Sequence, residues 1–366
     1  MTLPLEGLTV VAIEQAVAAP FCTARLADAG ARVVKIERPE GDFARGYDTA
    51  AAGQSSYFVW LNRGKETLML NLAKPEAKAR LAELIGSADV VVQNLKCGAL
   101  TRLGFDPEDL VKANPRLIVC SIAGFGEGGL YADRKAYDLL IQAESGLCSI
   151  TGTPEGPSRV GLSIVDIATG ATAHAAILEA LIRRSVIGKG ANISVSMFDV
   201  IAEWLTVPLL NYEGGNPPKR IGLAHPSISP YDVFETRDKT PILISIQSDR
   251  EWRKLCEVFI GDAALGTDER FATNVVRVEN RAKTDAVVAE AVARYDCDEA
   301  IEALLKSDVA LARVNNMAGL STHPHLRRIE VDSPNGPVRF PAPAPIFAGE
   351  ERDYGSVPAL RSEDAQ

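Results

Sequence analysis

The residue types that could do chemistry in this sequence converge on Asp166. It stands in VGLSIVDIATGATAHAAILEAL (160–181), where an apolar run meets a helix of small residues. An aspartate at such a junction can cap the helix by accepting its first free N–H groups, and from position alone this is the commoner role. The helix start also favours negative charge, which would keep the carboxylate ionised. An ionised carboxylate can attack an activated acyl group. Gly170 and Ala171 would let a bulky ligand approach closely. Cap and nucleophile are compatible before attack, and the residues alone leave both open.

Basic residues recur at or just beyond predicted strand ends: Lys35 and Arg38, Arg63 and Lys65, Lys96 and Arg102, Arg134 and Lys135. The carboxyl ends of strands in an open parallel sheet face the ligand crevice. A rim of Arg and Lys there would suit a polyphosphorylated ligand. Taken singly, each is more often solvated surface. The first strand leads into EQAVAAP (14–20), without the GxGxxG of a nicotinamide site. GFGEGG (124–129) follows a strand but precedes no clear helix, which makes it a weak phosphate loop.

The elements that must position these groups read as α/β. LTVVAI (8–13), ARVVKIE (31–37), DVVVQN (89–94) and RLIVCSI (116–122) are short apolar runs suited to buried strands. Between them, Pro20 opens a helix that Gly30 stops, and Pro75 opens PEAKARLAELIG (75–86). Alternation of this kind implies a parallel sheet covered on both faces. A long helix is expected to follow Asp166, and NISVSM (192–197) reads as another strand. The Gly/Pro/Ser-rich stretch 211–230 is a candidate crossing. In DREWRKLCEVF (249–259), Asp249 is a plausible N-cap, with Trp252, Leu255, Cys256 and Phe259 on one face. Residues 1–200 are therefore read as the first part of a large domain, 201–224 as a linker, 225–300 as a small domain and 301–366 as a linker and return. The polar tail after Gly349 is expected to be mobile.

Bulk properties narrow the function. A chain of 366 residues has two domains as its prior. A net charge of −9 argues against a nucleic-acid partner. No run approaches 18 consecutive apolar residues, so no membrane span is expected. MTLPLEGLTVVAIEQ lacks the basic start of a signal peptide. The 6 cysteines and 4 histidines are dispersed without metal-ligand or disulfide spacing, so no metal site is expected and the cytoplasm is the default compartment.

Against that background, the chain resembles the class III CoA-transferases, the family of formyl-CoA transferase and carnitine CoA-transferase. The resemblance runs through AAPFCTARLADAGARVVKIERPEGDFAR (18–45), LNRGKETLMLNL (61–72), DVVVQNLKCGALTRLGF (89–105), KAYDLLIQAESGL (135–147) and VDIATG (165–170). It continues through PYDVFETRD (230–238) and ERFATNVVRVENRA (269–282). It implies a Rossmann-like large domain with a parallel sheet, a smaller α+β domain and an interlocked, ring-like homodimer. It places the nucleophile at Asp166, which would form a mixed anhydride and then an aspartyl-CoA thioester. It places CoA contacts at Ala16, Arg38, Leu70, Asn94, Leu95, Lys96, Arg102, Leu103 and Lys135. Coenzyme A thioesters are then substrates, and no permanently bound cofactor is needed.

Departures from the family pattern bear on the substrate. Formyl-CoA transferase has a glutamine where this chain has Val17, with Gln15 displaced by two, and a glycine run where this chain has RIGLAHPSIS (220–229). Formate and oxalate are therefore disfavoured. Small dicarboxylic or branched acids (succinyl-, mesaconyl- or citramalyl-like) are preferred, with Arg45, Arg159 and Arg220 as cations for a distal carboxylate. Asp138 and His225 are further active-site candidates, each equally readable as an ordinary structural residue. The rival α-methylacyl-CoA racemase carries a histidine in GHD where this chain reads AYD (136–138). A phenol, as at Tyr137, would be a poor general base there. A non-catalytic CoA-binding protein is the remaining alternative.

Overall fold

The structure, a computed structural model, describes residues 3–126 and 128–360. Residues 1–2, Glu127 of the glycine run and 361–366 of the polar tail lie outside the described residues. The chain divides into two units.

The first unit runs to Cys148, resumes over Arg159–Leu210 and takes up the chain again from Arg327. The elements that position the site are β1 (Thr9–Ile13), α1 (Ala18–Asp28), β2 (Arg32–Glu37), β3 (Lys65–Met69), α2 (Pro75–Gly86), β4 (Val90–Gln93), β5 (Ile118–Ala123), α3 (Asp138–Glu144), α4 (Ile164–Ile187) and β6 (Ala191–Ser196). The strands form a sheet in the order β3-β2-β1-β4-β5-β6, with every neighbouring pair parallel. Alternate residues of β1 serve opposite cores. Val10 and Ala12 join a cluster with α1 and α4, while Val11 and Ile13 join one with α2. Burial on both faces explains why these strands read as unbroken apolar runs.

The strand order reverses between β1 and β4. The segments leaving these two strands turn to opposite sides and open a crevice at their carboxyl ends. Gln15–Val17 follow one strand and Asn94–Lys96 the other.

Helix α4 lies against α1 at very short range. A Cβ placed on Gly170 would sit 2.4 Å from the Ala18 carbonyl oxygen. Gly170 thus serves helix packing, not the ligand approach expected of it. By length and composition α4 could cross a membrane. In this fold Val165, Ala168, Ala173 and Ile177 bury its inner side in the core.

The second unit comprises Ser149–Ser158 and Asn211–Leu326. Its antiparallel sheet has the order β9-β8-β7, from β7 (Tyr231–Glu235), β8 (Pro241–Ser245) and β9 (Ala310–Arg313). Trp252, Leu255 and Phe259 form its core with Phe234, Ile242 and Ile244. This unit is wider than the expected 225–300, and the expected linker 201–224 carries helix Thr206–Glu213. Ser248, not Asp249, caps the Asp249–Lys254 helix, by accepting the Glu251 N–H. Asp249 instead pairs at 2.8 Å with Arg277, whose guanidinium is buried.

Candidate active site

The turn after β1 holds a constrained stretch of backbone in the crevice. Ala16 adopts a left-handed conformation, φ 62°. A residue with a Cβ costs about 1–3 kcal/mol in such a region, so neighbouring groups must hold it. The Gln15 N–H donates to Asn94 Oδ1 at 2.9 Å, and Asn94 Nδ2 returns a bond to the Gln15 carbonyl at 2.8 Å. The Ala16 N–H donates to Asp42 Oδ1 at 3.1 Å. Asn94, expected as a CoA contact, commits its side-chain amide to this clamp between the ends of β1 and β4.

Asp166 sits in the first turn of α4, one turn inside the junction read from sequence. It does not cap the helix. Asp138 does, accepting the Val165 N–H at 2.8 Å and the Asp166 N–H at 3.3 Å on Oδ1. Gln142 Nε2 holds the other Asp138 oxygen at 2.6 Å. Burial first, and then the negative charge of Asp138, push the Asp166 carboxyl up to about 7. The helix start therefore does not hold Asp166 fully ionised, since burial and the Asp138 charge leave the carboxyl only partly ionised near neutral pH.

Asp166 lines a cleft of about 610 Å³. Gln15, Ala16, Val17, Asn94, Leu95, Lys96, Lys135, Tyr137 and Asp138 line it too, so most of the expected site residues meet there. A second recess of about 330 Å³ holds Arg38, Leu70 and Leu103, and shares Gln15 and Leu95 with the cleft. Arg102 lines neither; its Nη2 turns to the Cys97 carbonyl at 3.4 Å. His225 belongs to the second unit, where it stacks on Tyr231 with ring centroids 5.2 Å apart.

Several expected ligand-binding cations are structural. Lys35, Arg63 and Lys65 are buried: Lys35 and Lys65 point inward from β2 and β3, and Arg63 lies in the turn that leads into β3. Lys65 pairs with Glu14 at 2.7 Å, and burial pushes its ammonium down to about 8. Arg63 pairs with Asp28 at 2.5 Å. Arg45 makes two bonds to Glu37, at 2.8 and 2.7 Å. Arg220 donates to the Thr153 and Ser149 carbonyls within the second unit. Of the three cations considered for a distal carboxylate, Arg159 lines the cleft with Asp166.

Sequence reasoning missed Phe43, Tyr47, Tyr57 and Ser163, which also line the cleft. Tyr57 and Ser163 share a hydrogen bond of 3.3 Å. Burial, with the charges of Asp42 and Asp166, pushes the Tyr47 phenol up to about 12, so it stays a donor. The available signal was Asp42 before FARG, an N-cap in front of a short turn.

The signature of CoA-transferase family III matches residues 5–360. The chain belongs to CoA-transferase family III. This family III chain is 34% identical over 365 residues to the succinate–glutarate CoA-transferase of Agrobacterium fabrum, covering 95% of the chain and 90% of that protein. It is 38% identical over 342 residues to the acetyl-CoA:oxalate CoA-transferase of Acetobacter aceti, covering 92% and 87%. The crystal structure of a CAIB/BAIF family protein from Brucella suis superimposes with TM-score 0.83 at 35% identity, covering 98% of this chain and 97% of that one. As a member of this CoA-transferase family, the chain is an enzyme that acts on CoA thioesters.

Proposed function

We propose that this CoA-transferase works through Asp166 on small dicarboxylic acids. The observation that carries this reading is a half-buried carboxylate in a cleft at the strand-order reversal, with Lys96, Lys135 and Arg159 among the lining residues. An Asp166 oxygen attacks the thioester carbonyl, the C–S bond breaks, and CoA leaves as thiolate. The product is a mixed anhydride. The thiolate attacks the Asp166 carbonyl and expels the donor acid as its carboxylate, leaving an aspartyl-CoA thioester. The acceptor carboxylate repeats both steps in reverse and regenerates Asp166. Every bond broken is matched by one formed, and no net proton is consumed.

The recess with Arg38, Leu70 and Leu103 suits the nucleotide end of CoA, and Lys96 and Lys135 suit its phosphates. Arg159 suits the distal carboxylate of a dicarboxylic acid. Both named relatives act, by name, on a dicarboxylate. The 38% identity to the acetyl-CoA:oxalate enzyme returns oxalate to the acids worth assaying beside succinate, glutarate, mesaconate and citramalate. We also infer an interlocked homodimer, supported by the exposed apolar side chains of Trp204, Val207, Leu209 and Leu210. A folded monomer in sedimentation would oppose that part.

Acyl-CoA followed by hydroxylamine should modify one peptide containing Asp166, and Asp166→Ala should fold and lose exchange. Full exchange in that variant would overturn the nucleophile.

A further inference from the structure

We propose that Asp42 is a positioning residue for the transfer, one buried carboxylate that holds two walls of the cleft in register. The proposal rests on the reading of the Asp166 cleft as the reaction site. Asp42 Oδ1 accepts the Ala16 N–H at 3.1 Å and the Ala44 N–H at 2.9 Å. The first bond secures the left-handed turn after β1. The second starts the short helical turn Phe43–Gly46, which presents Phe43 and leads into Tyr47. Asp42 Oδ2 accepts Lys35 Nζ at 2.8 Å.

The carboxylate is itself fixed. Its backbone N–H donates to Glu37 Oε2 at 2.8 Å, and Arg45 grips the same Glu37. Lys35 is fully buried and lies 3.5 Å from Glu14, the residue just before the turn. Lys65 bonds Glu14 at 2.7 Å, and the Thr23 hydroxyl donates to its other oxygen at 2.6 Å. Lys65, Glu14, Lys35 and Asp42 thus form a buried chain of alternating cations and acids behind the turn.

Such a set is poorly explained by stability, because apolar residues of similar volume often stabilise a core as well or better. What it supplies is a stiff reference for Ala16, a backbone position that would otherwise relax out of its left-handed region. A displacement of about 1 Å at a reacting centre costs on the order of 100-fold in rate.

The test uses Asp42→Ala, Asp42→Asn, Ala16→Gly and the double variants, with kcat, KM for each substrate and thermal midpoint measured on the full-length enzyme. Asp42→Ala should lower kcat by roughly 10- to 100-fold per folded molecule. Asp42→Asn keeps an acceptor for both N–H groups and should lose less, about 3- to 10-fold, on that same scale. Glycine takes a left-handed turn without support, so Ala16→Gly should recover a substantial part of kcat in either Asp42 background. If Asp42→Ala does not fold, Asp42→Asn with and without Ala16→Gly decides the matter. A lowered thermal midpoint with kcat within about two-fold of wild type, or no rescue by Ala16→Gly, overturns the proposal on this positional argument. Hydroxylamine labelling in Asp42→Asn should still fall on Asp166, only more slowly. Wild-type enzyme left unlabelled would instead remove the nucleophile assignment.

Discussion

One oxygen of Asp138 receives the backbone N–H of Asp166 at 3.3 Å, and that of Val165 at 2.8 Å. One acid therefore anchors the helix turn on which the other is displayed. The anchoring acid also opposes ionisation of its neighbour, since its charge adds to burial in raising the Asp166 carboxyl to about 7.

This coupling predicts an acid limb in the rate profile. The nucleophile is the carboxylate, so kcat/KM should rise with pH and level off above an apparent pKa near 7. Asp138→Asn keeps the acceptor for the two N–H groups and deletes the charge. Its limb should move to lower pH, and a limb that stays in place would show that Asp138 does not act through its charge.

Stability should move the other way. The Asp166 carboxyl titrates near 3.8 when unfolded and near 7 when folded, so the folded state binds more protons between those values. Its contribution is present below pH 3.8 and is lost as pH rises through 7. Asp166→Asn should therefore raise the thermal midpoint at pH 8, by on the order of 2–4 kcal/mol of unfolding free energy. The gain should shrink towards zero near pH 4. Thermal melts of both proteins at the two pH values check it.

Arg159 lines the cleft beside Asp166 and has no ion pair among the described residues. Arg159→Ala should raise KM for dicarboxylic acceptors by roughly 10- to 100-fold, the loss of one charge-assisted pair. Monocarboxylic acids should be affected much less. Equal changes for both classes would remove Arg159 from acid recognition.

A Cβ on Gly170 would meet the Ala18 carbonyl oxygen of α1, a backbone atom that cannot turn aside, as well as the Phe21 side chain at 3.0 Å. Gly170→Ala should destabilise the enzyme by about 3 kcal/mol. Denaturant unfolding would reveal the cost, and a neutral result would mean that α1 and α4 are free to separate.

Much of the first unit was legible because its signals are local. Strands β1, β2, β4 and β5 are short apolar runs punctuated by Gly and Pro, and the resemblance in VDIATG pointed to Asp166. Burial of charge was not legible. Lys35, Lys65 and Arg63 read as rim cations because the sequence suggested strand ends at or near each, whereas the acids that neutralise Lys65 and Arg63 lie 51 and 35 positions away in sequence. Asn94 and Asp138 both line the cleft, but their hydrogen bonds to the backbone of distant segments were not legible in the sequence.

By itself the sequence determined the alternation of strands and helices, the family, and the aspartate at the start of a small-residue helix, since these depend on periodicity and on ordered motifs. Tertiary structure alone decided that Asp138 caps the helix of Asp166, that Asp42 supports Ala16, and which cations are walled in and which face the cleft. Those outcomes depend on desolvation and on hydrogen bonds closed between segments far apart in the chain, and no local pattern of residues encodes either.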